Sequence, residues 1–169
     1  MCGVGGAAPA PDVAIRALAP GDAAACDAIV ASLPYHFGDQ HGRELCAAAV
    51  REQDGLVAAA TGRPVGFLTW RPWYDAAAEI TWMAVHARER RRGIGRNLVD
   101  AFLARLGPDV RYAVVTTLSQ ATPDDVDVDD GYAGTRAFWR RCGFEPVFDP
   151  AGWWNDENQA VVMVQVLGR

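Results

Sequence analysis

The segment from Ala78 to Phe102 constrains the fold more tightly than any other part of this chain. It opens with a run of strand character, Ala78-Glu79-Ile80-Thr81-Trp82-Met83-Ala84-Val85. A basic turn carrying two glycines follows, Arg90-Arg91-Arg92-Gly93-Ile94-Gly95. Beyond it Ile94, Leu98, Ala101 and Phe102 recur at helical spacing. A strand, a glycine turn and a helix start bring a helix N-terminus beside a strand end. The amides of a first helical turn lack intrahelical partners, and the macrodipole makes that end partly positive. Glycines let such a backbone approach a ligand closely. The guest that suits it is a phosphate or pyrophosphate.

The other elements follow from periodicity and turn residues. Val13 to Leu18 alternates as a strand. Pro20-Gly21-Asp22 opens a helix with Asp22 as its cap and Cys26, Ile29, Val30 and Leu33 on its stripe. Pro34 to Gly38 is an aromatic loop. A second helix spans about Gln40 to Glu52, with Leu45, Cys46, Ala49 and Val50 facing inward. Gly55 to Ala60 and Val65 to Trp70 form a hairpin about Thr61-Gly62-Arg63-Pro64. A loop from Pro72 to Ala77 leads into the strand Ala78 to Val85. The next helix covers about Gly93 to Leu106 and stops at Gly107-Pro108. Then come a strand at Val110 to Leu118, an acidic loop at Ser119 to Gly131 and a helix at Tyr132 to Cys142. A strand at Phe144 to Phe148, a loop with Trp153-Trp154-Asn155 and a strand at Ala160 to Leu167 complete the order. The expectation is one α/β domain over 13–169, preceded by a flexible Gly/Ala/Pro-rich tail, Met1 to Asp12, without the features of a secretion signal.

Composition excludes several classes. A net charge of −5 disfavours bulk binding to nucleic acid. No apolar run approaches the ~18 residues of a membrane span, so a cytoplasmic protein is expected. Cys2, Cys26, Cys46 and Cys142 form no C-x-x-C pair, and His36, His41 and His86 share no zinc spacing. Free structural thiols and no metal site are expected. The aspartates from Asp124 to Asp130 lack the glycine and glutamate that a calcium loop requires. They read as a solvated loop, or as a lip that draws a cation.

The Arg90-to-Gly95 turn resembles the acetyl-CoA site of the GNAT superfamily, the acetyl-CoA-dependent N-acetyltransferases. The family signature is Arg or Gln, two free positions, Gly, one free position, then Gly or Ala; Arg90, Gly93 and Gly95 fill it. Downstream, Thr135-Arg136-Ala137-Phe138-Trp139-Arg140-Arg141-Cys142-Gly143-Phe144 is similar to the family's A-x-x-F-Y-x-x-x-G-F segment. The resemblance implies a single domain with a central mixed, mostly antiparallel sheet of about seven strands flanked by about four helices. It also implies acetyl-CoA as cofactor and transfer of an acetyl group to a primary amine of a small molecule or protein.

Residue by residue, the resemblance assigns the pyrophosphate to Arg90, Arg91, Arg92, Gly93, Ile94 and Gly95. It assigns the pantetheine arm to Met83, Ala84 and Val85, where the family's strand splays from its neighbour, and it makes Glu79 the candidate general base. Tyr132 borders the same groove. Trp139 stands where many members carry an acidic tyrosine; an indole has no proton to release at physiological pH. It would pack on the cofactor or serve as a core aromatic. Tyr35, His36 and Phe37 are the candidate acceptor-side residues, and Trp70, Trp73, Tyr74, Trp82 and Trp153 add aromatic surface. Exposed tryptophans suit a substrate pocket or a homodimer interface equally. Two bland readings stand beside these: a solvated basic face at Arg88 to Arg92, and a solvent-facing Glu79. A GNAT-fold module that holds acyl-CoA without efficient turnover is the alternative function.

Overall fold

A computed structural model describes residues 13–119, 132–153 and 159–168. The tail Met1 to Asp12, the acidic loop after Ser119 with Asp124 to Asp130, and Trp154-Asn155 lie outside the described residues. The elements are β1 (Val13–Ala17), α1 (Ala23–Ala31), α2 (Gln40–Glu52), β2 (Asp54–Ala60), β3 (Arg63–Tyr74), β4 (Ala77–Val85), α3 (Ile94–Leu103), β5 (Tyr112–Leu118), α4 (Ala133–Arg141), β6 (Glu145–Phe148) and β7 (Ala160–Val166). Their order is the one that the sequence predicts.

All seven strands lie in one sheet, in the order β1-β2-β3-β4-β5-β7-β6. Every neighbouring pair is antiparallel except β4 and β5. A parallel pair needs a crossover, and α3 supplies it on one face. That face buries Ile94, Leu98, Val99 and Phe102 of α3 with Trp139 of α4 against Leu68, Ile80, Ala113 and Val115 of the sheet. On the other face Cys26, Ile29, Val30, Cys46 and Val50 of α1 and α2 pack over Val57, Phe67 and Ala84. Strands of the middle of the sheet are thus covered twice. This accounts for the unbroken apolar run Leu56 to Ala60, every residue of which is buried.

Three expectations are corrected. Asp22 holds the N-cap position of α1 but makes no side-chain cap hydrogen bond; its carboxylate accepts from both terminal guanidinium nitrogens of Arg16, at 2.7 and 2.8 Å, and from the amide of Ala19 at 2.9 Å. It therefore ties β1 to the turn after it. Leu45 faces outward, half exposed, because the inward stripe of α2 is Cys46, Ala49 and Val50. β3 does not end at Trp70 but runs to Tyr74, across Pro72. The register with β4 shifts between Pro72 and Tyr74, so Trp73 is an extra residue in the ladder. Such an irregularity is where a strand accommodates a proline.

Cys26, Cys46 and Cys142 are buried and unbridged, as the spacing predicts. Burial pushes the thiols of Cys26 and Cys46 up to about 12.

Candidate active site

β4 has two unlike halves. From Ala77 to Ile80 it pairs with both neighbours; its partners on β5 are Tyr112, Ala113, Val114 and Val115. Past Ile80 the pairing with β5 stops, although β5 itself continues to Leu118. The β3 ladder changes register at the same place: Trp70 faces Ile80 and Thr69 faces Trp82, so Thr81 is the extra residue. A bulge bends its strand and raises the local twist. Met83, Ala84 and Val85 follow the bulge and, among the described residues, keep only β3 as a ladder partner. Their backbone edge toward β5 is the one that the resemblance predicts for a pantetheine arm.

The chain then turns into α3. A short 3₁₀ turn, Ala87–Glu89, is capped by the His86 side chain, and Arg90 follows in extended conformation. Arg91 has φ of 62° and Gly93 has φ of 78°. Gly93 is the N-cap of α3, and no side chain among the described residues caps the helix. The first-turn amides therefore face outward with the dipole behind them. A Cβ on Gly93 would meet nothing within 4 Å, so glycine stands there for its left-handed backbone.

Gly95 stands there for a different reason. A Cβ would lie 3.3 Å from the Phe138 ring and 3.8 Å from Met83 Cε. The glycine lets the first turn of α3 press against α4 and β4. Its partner Phe138 enters the sequence reading only as part of a motif; its role as the wall beside the α3 start comes from the packing.

The basic residues divide. Arg92 is ion-paired to Glu89. Arg96, in the second half of the first turn, bonds Asp100 at 2.9 Å and the Arg141 carbonyl at 2.6 Å, which joins α3 to the end of α4. Arg90 and Arg91 are exposed. The Ile94 side chain is buried at 2% exposure, so only its amide faces the turn.

The α1–α2 loop closes over this region. The Tyr132 hydroxyl donates to the His36 carbonyl at 3.0 Å, and the two rings lie 5.4 Å apart. Burial, and then the charge of Arg90, hold the His36 imidazole below its usual pKa. Burial, and then Tyr35, raise that of the Tyr132 phenol. Tyr35, His36, Arg90 and Tyr132 are thus neighbours drawn from three separate parts of the chain. Phe37 points away from them into the core, against Trp82 at 6.1 Å.

Glu79 sits in the fully paired half of β4, on the sheet face opposite Ala78 and Ile80. Its side chain is 12% exposed and binds Arg71, with Nε at 2.9 Å and a terminal nitrogen at 2.8 Å, both on Oε2. Neither a free carboxylate nor a solvent-facing one describes it, and Arg71 was not visible as its partner in the sequence. Trp139 is 4% exposed and packs edge-on against Phe138 and Phe144, at 5.0 and 5.3 Å. It occupies the place of a core aromatic, and Phe138 is the ring nearer the α3 start. Trp70 likewise packs in the core on Phe102, at 5.5 Å.

A surface pocket of about 500 Å³ lies elsewhere, at the β3–β4 turn, lined by Trp70, Trp73, Tyr74, Ala77 and Arg105 among others. It shares no residue with the α3 start. Trp73 there stacks on Trp153, 6.4 Å away. No helix among the described residues is long and apolar enough to cross a membrane.

The arrangement has counterparts of known structure. A GNAT-family protein from Desulfovibrio desulfuricans matches with a TM-score of 0.77 at 19% identity, covering 93% of this chain and all of that one (100%). An acetyltransferase of the same family from Elizabethkingia anophelis, solved with acetyl-CoA bound, matches at 0.67 and 14%, covering 92% and 98%. The Escherichia coli enzyme that N-acetylates an alanine of a ribosomal protein matches at 0.72 and 15%, covering 94% and 96%. No curated protein sequence matches this chain. The family model described as an acetyltransferase (GNAT) domain matches residues 51–146, from the end of α2 to the start of β6. That is more than half of the 169 residues, and the chain belongs to the GNAT acetyltransferase family.

Proposed function

We propose that this chain is an acetyl-CoA-dependent N-acetyltransferase that moves an acetyl group to a primary amine, of a small molecule or of a protein, by direct attack on the thioester. One observation carries the reading: the edge of β4 that β5 leaves unpaired runs into a helix start that no side chain among the described residues caps. A strand edge suits an amide-bearing arm and an open helix start suits a pyrophosphate; the two lie in sequence, as those parts do in acetyl-CoA. When bound, acetyl-CoA supplies the activated acetyl group.

The chain's own residues do the rest. The amides of Gly93, Ile94 and Gly95 hold the pyrophosphate, and Arg90 and Arg91 add charge. Met83 to Val85 pair with the arm and offer an N–H to the thioester oxygen. An alkyl amine is mostly protonated near neutral pH, with a pKa of about 10.4 for lysine, so a base is needed. Glu79 is assigned that role, directly or through a water. Both contacts from Arg71 fall on Oε2, so Oε1 is the oxygen assigned the proton. The thiolate leaves without a tyrosine, since Trp139 carries no acidic proton; a thiol of ordinary pKa, about 8.5, leaves as an anion.

The second reading, a module that holds acyl-CoA without efficient turnover, draws on two observations. Glu79 is engaged by Arg71, and Trp139 is buried where many members have their acid. Calorimetry with acetyl-CoA followed by thiol release across an amine panel separates the two. The enzyme reading expects binding, release with one class of amine, and a Glu79→Gln variant about a hundredfold slower with unchanged acetyl-CoA affinity. Binding without release from any amine supports the module. Unchanged turnover in Glu79→Gln removes the base assignment.

A further inference from the structure

Thr81 is where two irregularities of β4 coincide, and it is held by a chain of polar side chains that nothing above explains. Its hydroxyl donates to Oε1 of Gln53 at 2.5 Å. Having given its proton there, it accepts from the hydroxyl of Thr69, 2.9 Å away. Thr69 lies on β3 opposite Trp82 and is 0% exposed. A buried hydroxyl without a partner is destabilising, so Thr69 favours the one arrangement of β4 that brings Thr81 to it. Gln53 ends α2, on the face that α1 and α2 cover, immediately before β2.

The alternative to this arrangement is a one-residue slip. Without the extra residue, β4 would continue its ladder past Ile80, and every side chain beyond would change faces. The amides now turned toward the gap would turn elsewhere. The side-chain chain opposes that slip at the residue where it would begin.

We propose that Gln53 is a positioning residue: through Thr81 and Thr69 it holds the β4 bulge in the register that keeps the Met83–Val85 edge apart from β5 and open to a ligand. The inference deepens the acetyl-CoA reading and rests on it for its affinity readout, but its exchange readout does not need that reading.

The test uses the full chain with two substitutions of similar size. Gln53→Met removes the acceptor oxygen, and Gln53→Glu keeps one. Amide hydrogen exchange of the ligand-free protein is followed residue by residue, and acetyl-CoA affinity is measured by calorimetry. In Gln53→Met, exchange at Trp82 to Val85 is expected to accelerate about fivefold while α3 and β2 stay unchanged, and acetyl-CoA affinity to fall by about the same factor. Gln53→Glu is expected within about twofold of the parent on both readouts. Parent-like exchange in Gln53→Met overturns the proposal, as does equal behaviour of the two variants, which would mean bulk packing. A uniform acceleration over the whole sheet also overturns it, since that is a global stability loss. Accelerated exchange at unchanged acetyl-CoA affinity overturns the link to the open edge. If the parent binds no acetyl-CoA, the proposed function fails and the exchange pattern alone decides the register claim. If Gln53→Met does not fold, Thr81→Val against Thr81→Ser makes the same comparison, because only serine keeps the hydroxyl.

Discussion

Helices α2 and α3 begin in opposite ways. At α2 the Asp39 carboxylate accepts from the Gly42 amide at 2.6 Å, and the end is closed within the chain itself. At α3 the cap is Gly93, in a left-handed conformation, with no side chain among the described residues turned back onto the amides. Both helices bury an apolar stripe, so packing does not distinguish them. The difference lies in where the orphan donors go. At α2 a side chain takes one of them; at α3 they are left to the turn that carries Arg90 and Arg91, and an anion suits such a helix start.

The sharpest way to break this contrast is to give α3 the cap that α2 has. Gly93→Asp places a carboxylate at the start of α3, on a residue type that tolerates the left-handed region. Acetyl-CoA affinity is expected to fall about a hundredfold by calorimetry, since charge-assisted hydrogen bonds are lost and a like charge is gained. The reciprocal change, Asp39→Ala, should leave acetyl-CoA affinity alone and reduce stability by about 1 kcal/mol in denaturant melts. Equal effects of the two on affinity would show that the helix starts are not functionally different.

A smaller effect separates the two glycines. Gly95→Val forces Cβ and more against the Phe138 ring, and unfolding should show a loss of about 1–3 kcal/mol, relieved in part by Phe138→Leu in the same chain. If Phe138→Leu gives no relief, the packing account of Gly95 is wrong. Among the arginines, Arg90→Ala should weaken acetyl-CoA binding more than Arg92→Ala, by a few-fold at low salt, because Arg92 already serves Glu89. Reversed order would place the ligand's charge on the other side of the turn.

The least of the effects is a dependence on pH. His36 is held below its ordinary value of 6.5 by burial and Arg90. The unfolded chain takes up that proton near 6.5 and the folded chain only at lower pH. Stability from this group is therefore complete above 6.5 and declines as pH falls below it, until the folded imidazole also titrates. His36→Gln should flatten that part of a stability profile.

The element order, the apolar helix stripes and the glycine turn were legible in the sequence because each is a local pattern. Ile94, Leu98 and Phe102 recur at helical spacing and are all buried. What could not be read was pairwise. That Gly95 faces Phe138, that Glu79 is held by Arg71, and that Gln53 reaches Thr81 depend on which strands and helices become neighbours. The bulge left a faint trace: Glu79 and Thr81 alternate with Ile80, and Trp82-Met83 then breaks the alternation. Leu45 misled because a helical stripe is wider than the seam that the sheet covers. Trp139 was read through its alignment with a family position, whereas its depth is set by Phe138 and Phe144 around it.

The short pairing of β4 with β5 also has a mechanical meaning. It comprises the pairs Ala77–Tyr112, Ala78–Ala113, Glu79–Val114 and Ile80–Val115, and it is the seam between an antiparallel set, β1 to β4, and a second set, β5, β7 and β6. Two sets of strands that pair along one short hem, under the core they share with α3 and α4, resemble a partly open book. A molecule lodged in the open part ties the covers together, so its release and the parting of the two sets draw on the same contacts. Pulled apart from β1 and β6, the chain should yield first at that hem, and at a higher force with acetyl-CoA in the gap.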